Sequence, residues 1–226
     1  RAYEGLRHAI FSYVAFGYNK VNENLDNAAL HVVLHIEKKH RNKAYPIPAG
    51  GPRDEYLMMS TMSNRYAAVC AGLGLFGWSG FVLTQQDGPR VRWVSIITEA
   101  NLKPDPLYKG PPLCDRSQCD ICIQACPVGA LSDHEAVKVE IEEHRSEYST
   151  RNKPLCRCAT TGLVKGTPGR LQADVPTNLR RAEEWLSLSK KDNPWQRMEF
   201  SRGNYCHRCL IECTVGQIPA SSEGGL

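Results

Sequence analysis

The chain has 226 residues, 42% of them apolar and 23% charged, with a formal charge of +4. That length suits one compact domain, or one core with a small added module, and no run of eighteen apolar residues offers a bilayer span. The 28 basic residues are scattered among 24 acidic ones instead of forming a stripe, which disfavours a nucleic-acid binder. The sequence starts at Arg1 with neither Met nor a basic-then-apolar leader, so a processed or partial chain is expected.

In chain order, the stretch with Leu6, Ile10, Tyr13 and Val14 reads as a helix or a truncated helical start. Residues 22 to about 41 read as an amphipathic helix. Leu25, Ala29, Val32 and Ile36 fall on one stripe, opposite Glu23, Asn27, Lys38 and Lys39, with Asn22 as its cap. Tyr45-Pro46-Ile47-Pro48 is extended by its prolines, and a second helix is expected from Ser63 to about Ala71, capped by Ser63 or Asn64.

Gly72-Leu-Gly74-Leu-Phe-Gly77 matches the dinucleotide fingerprint letter for letter, but it follows a helix and opens a strand, the reverse of what that loop requires. Close approach of backbone to a flat ligand or a packed element suits these glycines better. Phe81–Thr84 and Val91–Thr98 flank Gln85–Pro89, which reads as a hairpin. Pro104–Pro112 reads as a connector, Ala136–Tyr148 as an acidic helix, and the stretch on to Tyr205 as loop-rich.

Ten cysteines are the anomaly. Thiols two or three residues apart converge on one centre more readily than they pair with each other, so the spacing is that of metal ligands. Cys119-x2-Cys122-x3-Cys126-Pro127 carries the last three ligands and the proline of the bacterial ferredoxin run, and Cys206-x2-Cys209-x3-Cys213 repeats the rhythm. In two-cluster ferredoxins the last cysteine of each run crosses to the other cluster. One [4Fe–4S] cluster then takes Cys114, Cys119, Cys122 and Cys213, and the other takes Cys126, Cys206, Cys209 and either Cys156 or Cys158. Two four-thiolate zinc sites are the competing reading, although zinc favours paired C-x2-C knuckles. Cys70, among Ala67, Ala68 and Ala71, reads as a buried small hydrophobe. His31 and His35 stand i, i+4 without a third ligand nearby and read as a solvated or core pair, while His207 reads as a donor to sulfur. Neither G-x-S-x-G nor a phosphate loop occurs, so hydrolase and nucleotide-kinase readings have no support.

Taken together, Ser63–Gly77, Phe81–Thr84, Gly88–Arg92, Ile97-Thr98, Leu102–Asp105, Cys126–Leu131 and Cys206–Gly216 resemble the epoxyqueuosine reductase and reductive dehalogenase superfamily. Asn24–Asp26 and Pro46–Pro48 extend the resemblance over most of the chain. It implies an α+β protein with a nitroreductase-like α/β core over 1–105 that holds base-off cobalamin. A ferredoxin-like module with two [4Fe–4S] clusters would occupy 106–226. It also implies electron flow from an external donor such as ferredoxin or flavodoxin, through the clusters, to cobalt and a small organic substrate.

On that reading Gly72, Gly74 and Gly77 admit the macrocycle and Trp78 walls it. Arg65, Arg90 and Arg92 hold propionamide, phosphate or a substrate anion. The plainer account is that the glycines pack a helix on a strand and the arginines are solvated. Tyr56 and Tyr66 are the loose counterparts of the dehalogenases' tyrosine proton donor. Met58 stands where epoxyqueuosine reductases carry an acid, and Thr214 where Cys-Pro is usual, so epoxyqueuosine is not the expected substrate. The competing function is an electron-transfer protein with no catalytic centre of its own, serving a partner subunit. The expected location is cytoplasmic, with export behind a removed leader left open.

Overall fold

The computed structural model describes residues 13–50, 53–54, 59–60, 62–142, 144–160 and 206–217. The expected helical start around Leu6 and Ile10, the side chains of Tyr56 and Met58, and the loop-rich stretch 161–205 lie outside the described residues. Helices and small antiparallel sheets make this an α+β chain.

The first helix, α1 (Val21–His35), is continued at both ends by wider π-helical turns, Tyr13–Lys20 and Ile36–His40. Its buried stripe is Asn22, Ala29, Val33 and Ile36, at helical spacing. Val32, placed on the stripe by the sequence reading, is 48% exposed instead. Asn22 is not a cap, because helical backbone already runs through Lys20. Its side chain faces inward and accepts a hydrogen bond from Arg92 Nε at 2.9 Å. His31 and His35 are both exposed.

Strand β1 (Ala44–Ile47) pairs antiparallel with β6 (Ser95–Thr98). Two further short pairs are β2 (Arg53–Asp54) with β3 (Met59–Ser60), and β4 (Leu75–Phe76) with β5 (Val82–Leu83). The hairpin expected between Phe81–Thr84 and Val91–Thr98 therefore does not form. The turn itself does, closed by reciprocal backbone bonds between Thr84 and Gly88 at 2.9 and 3.0 Å. Beyond it the chain leaves to meet β1, where Pro46 stands opposite Ile96. Helix α2 (Asn64–Cys70) begins at Ser63, whose hydroxyl accepts from the Tyr66 N–H, so Ser63 is the cap of the two that the sequence offers.

The acidic stretch expected as a helix is a long antiparallel hairpin, β7 (Leu131–Ile141) and β8 (His144–Arg151). Val137, Val139 and Ile141 alternate with Lys138, Glu140 and Glu142, and this β-branched period of two outweighs a charge-rich composition that suits helices. Glu142 turns the hairpin at a φ of 52°. Val139 and Tyr148 then pack onto Ala68, Val69, Phe76 and Val82, so residues from both sides of position 105 share one core. Two short helices, α3 (Ile121–Gln124) and α5 (Arg208–Ile211), pack side by side, and α4 (Lys153–Thr160) follows the hairpin.

Candidate metal centres

The two cysteine runs fold alike, and the likeness extends beyond their spacing. Asp120 and His207, each following the first cysteine of its run, open α3 and α5 at φ, ψ of −127°, 11° and −138°, 26°. Gly129 and Gly216, each three residues past the last cysteine, turn at φ of 57° and 63°. A one-turn helix thus holds the middle of each run while the last cysteine swings outward. Because the two helices lie together, that last thiol reaches the opposite set.

Cys114, Cys119, Cys122 and Cys213 form one set: Cys119 and Cys213 raise the cost of charging Cys114, Cys114, Cys119 and Cys213 that of Cys122, and Cys119 that of Cys213. Cys126, Cys156, Cys206 and Cys209 form a second such set. Burial is the larger cause in both. It pushes Cys122 and Cys206 up to about 11 and Cys209 up to about 12, and it raises Cys114 and Cys213 as well.

Cys156 and Cys158 differ in what surrounds their sulfurs. Residues two apart on α4 point about 200° apart around the axis. Cys158, fully buried, lies in a cluster with Val128, Ala130 and Ala159 against which Cys126, Cys156 and Cys206 also pack, whereas Cys156 acts on Cys206 and Cys209. Asn152 fixes the helix start, its side chain accepting from the Leu155 N–H at 3.1 Å. Cys70 is exposed at the end of α2 and not buried as expected, because its position carries it past the alanine face.

Backbone N–H groups point at the sulfurs. Trp78 N donates to Cys114 Sγ at 3.4 Å and Ala130 N to Cys126 Sγ at 3.2 Å, while Arg208 and Val215 donate from the backbone to Cys206 and Cys213. Cations stand nearby: Arg90 acts on Cys213 and Arg151 on Cys209. Arg116, within the first run, donates to the Cys119 carbonyl at 3.5 Å and to the Asp133 carbonyl at 3.1 Å, and lies over the Trp78 ring. Sets of four thiols with N–H donors and flanking cations have the donor chemistry of thiolate-bound iron–sulfur clusters. Among the described residues no three His, Cys, Asp or Glu groups are gathered for a single ion.

The residues read as corrinoid contacts are engaged within the chain. A Cβ added at Gly72 would run into the Pro106 carbonyl, one at Gly74 into the Leu83 carbonyl, and one at Gly77 into the Leu83 side chain. The close approach these glycines permit, on the side a Cβ would take, is filled by the protein itself. Trp78 is buried and donates from its indole to the Ser132 carbonyl at 3.0 Å. Arg65 donates to the Gly80 carbonyl, Arg92 lies over the Tyr18 ring at 4.2 Å, and Arg90 holds the loop after Cys213. These contacts are the chain's own and involve the same residues that the sequence reading gave to a macrocycle.

Tyr66 is half-buried against Phe76, and its hydroxyl lies 3.0 Å from that of Tyr148. Burial first, then the bond to Tyr148, pushes Tyr66 up to about 12 and keeps it protonated. Sequence reasoning missed Tyr148, read as the end of a helix, and Arg151, read as part of a loop-rich stretch. Arg116 could have been found from its place between Cys114 and Cys119.

No protein-family model matches the chain. Over 160 residues it is 28% identical to a tetrachloroethene reductive dehalogenase of Desulfitobacterium hafniense, and 27% identical to one of Dehalobacter restrictus. The match takes in 58% of this chain and spans 29% of the length of each relative. These relatives support the superfamily that the motifs suggest. Among solved structures, an epoxyqueuosine reductase with a modified tRNA-Tyr stem loop aligns at a TM-score of 0.48 and 17% identity, covering 87% of this chain and 39% of that one. A selenomethionine-labelled epoxyqueuosine reductase aligns at 0.46 and 18% identity. Among the described residues, no helix is long and apolar enough to cross a membrane.

Proposed function

We propose that this chain is an iron–sulfur oxidoreductase of the reductive dehalogenase type, carrying electrons through two [4Fe–4S] clusters. The observation that carries the reading is the exchange of Cys126 and Cys213 between two runs of like fold, giving two sets of four grouped thiols. Cys114, Cys119, Cys122 and Cys213 would hold one cluster, and Cys126, Cys156, Cys206 and Cys209 the other. When bound, such clusters supply one-electron transfer at low potential. The chain's part is to desolvate the thiols, direct N–H donors at the sulfurs and place arginines beside them. An external donor such as ferredoxin or flavodoxin would deliver the electrons, which end on a small organic substrate.

Anaerobically purified protein is expected to be brown and to hold about eight irons with matching sulfide. Two bound zincs and no iron would end this reading.

The second reading, an electron carrier that serves a catalytic partner, is favoured by the packing around the Gly-rich loop. Trp78 is buried and Trp93 packs on the core, so the two side chains read as walls of a cavity take part in the chain's own packing. Anaerobic incubation with hydroxocobalamin followed by gel filtration separates the two. Corrin absorbance travelling with the protein supports an enzyme with its own cobalamin, and its absence supports the carrier. In the enzyme, Tyr66, held protonated beside Tyr148, would be the phenol available to donate a proton.

A further inference from the structure

Arg90 was read from the sequence as a ligand for an anion, yet its guanidinium faces three carbonyls of the chain. Nη1 donates to Cys213 O at 3.0 Å and to Leu210 O at 3.5 Å, and Nη2 donates to Val215 O. These acceptors are the last carbonyls of α5 and the loop that carries Cys213. They come from more than a hundred residues further along the chain. The turn that presents Arg90 is locked against the same loop: a Cβ at Gly88 would strike the Val215 carbonyl, and one at Gly216 would strike Gly88 N. Both glycines have positive φ, 57° and 63°, so neither position accepts a side chain readily. A planar fork with several donors suits this three-carbonyl clasp, and a lysine ammonium cannot reproduce it.

We propose that Arg90 is the positioning and charge-balancing residue of the cluster held by Cys114, Cys119, Cys122 and Cys213. It anchors the crossing ligand Cys213 from the first half of the chain and raises that cluster's reduction potential without acting on its neighbour's. The inference rests on the cluster reading above and deepens it. A fixed positive charge beside one cluster favours its reduced, more negative state, so removing the charge lowers that potential. The other cluster has its own cation in Arg151, which acts on Cys209.

The test uses the iron-loaded full chain, with Arg90→Gln and Arg90→Lys, and with Arg145→Gln, at an exposed side chain of β8, as a surface-charge control. Readouts are iron content, iron release to a chelator, and EPR-monitored redox titration. In Arg90→Gln, one signal is expected to shift to lower potential, changing its reduced-to-oxidised ratio at fixed poise about tenfold, which is 59 mV for one electron. The second signal stays in place, and selective loss of about four irons from the first cluster also supports the proposal. Arg90→Lys keeps the charge without the clasp, so its potential lies near the parent's while iron leaves one cluster faster. If Arg90→Gln does not fold, the lysine variant decides alone, and parental iron release from it overturns the proposal. Two unchanged potentials with full iron in Arg90→Gln, equal shifts in both signals, or the same shift in Arg145→Gln also overturn it. Absence of iron from the unsubstituted protein sinks the cluster reading itself, and the two failures are thereby distinguished.

Discussion

At the residue scale, the cysteines divide by what surrounds their sulfur more than by where they fall in the sequence. Cys213→Ser is expected to damage the cluster shared with Cys114, Cys119 and Cys122 while leaving the other spectrum intact, because the crossing ligand belongs to the distant run. Cys156→Ser is expected to damage the other cluster, whereas Cys158→Ser, which replaces a fully buried sulfur in an apolar cluster, costs stability without changing the number of clusters. Cys70→Ala, at an exposed position, keeps about eight irons. Iron analysis and EPR of the reduced variants check all four, and loss of iron in the Cys70 variant would contradict the assignment. For the phenol pair, Tyr148→Phe removes the hydrogen bond that helps raise Tyr66, so its ultraviolet-monitored titration is expected to move down from about 12.

At the element scale, the hairpin of β7 and β8 joins the two halves of the chain. The Ser149 N–H donates to the Trp78 carbonyl at 2.8 Å, and the Phe76 ring lies 5.0 Å from both Tyr66 and Tyr148. Trp78 in turn directs its own N–H at Cys114, so core packing and the first thiol set share a residue. Phe76→Ala would leave a cavity at this junction and is expected to lower stability by about 3–5 kcal/mol. Denaturant unfolding measures the loss. The same variant is expected to release iron from the Cys114 set sooner, which a chelator assay follows.

At the scale of the whole molecule, metal binding and folding are linked. Without metal, buried thiols whose ionisation is raised favour the neutral form in the folded state. Their contribution is full below the ordinary thiol range near 9 and is lost as pH climbs to about 11–12. The metal-free chain is therefore expected to lose stability across that alkaline window. In the loaded chain the sulfurs are already thiolates bound to iron, so this loss disappears, and acid replaces alkali as the threat because protons compete for the ligands. Thermal unfolding against pH, with and without iron, gives curves of opposite slope if this is right.

Sequence spacing by itself determined the two cysteine runs, a helix start at Ser63 or Asn64 and the extended Tyr45–Pro48 segment, since each depends on neighbours a few positions apart. The grouping of Cys213 with the first run was also legible there, through the repeated rhythm of the motif. The identity of the stretch after Leu131 was not: charge content and β-branched alternation pulled in opposite directions, and packing against Phe76 and Val82 favoured the strand. Nor could sequence separate Cys156 from Cys158, because that needs to know which side of α4 faces the apolar cluster. The contacts of Gly72, Gly74 and Arg90 within the chain were likewise visible only in three dimensions. Whether a small residue or a guanidinium meets a ligand or its own backbone depends on what the fold brings against it, here Pro106, Leu83 and the loop after Cys213.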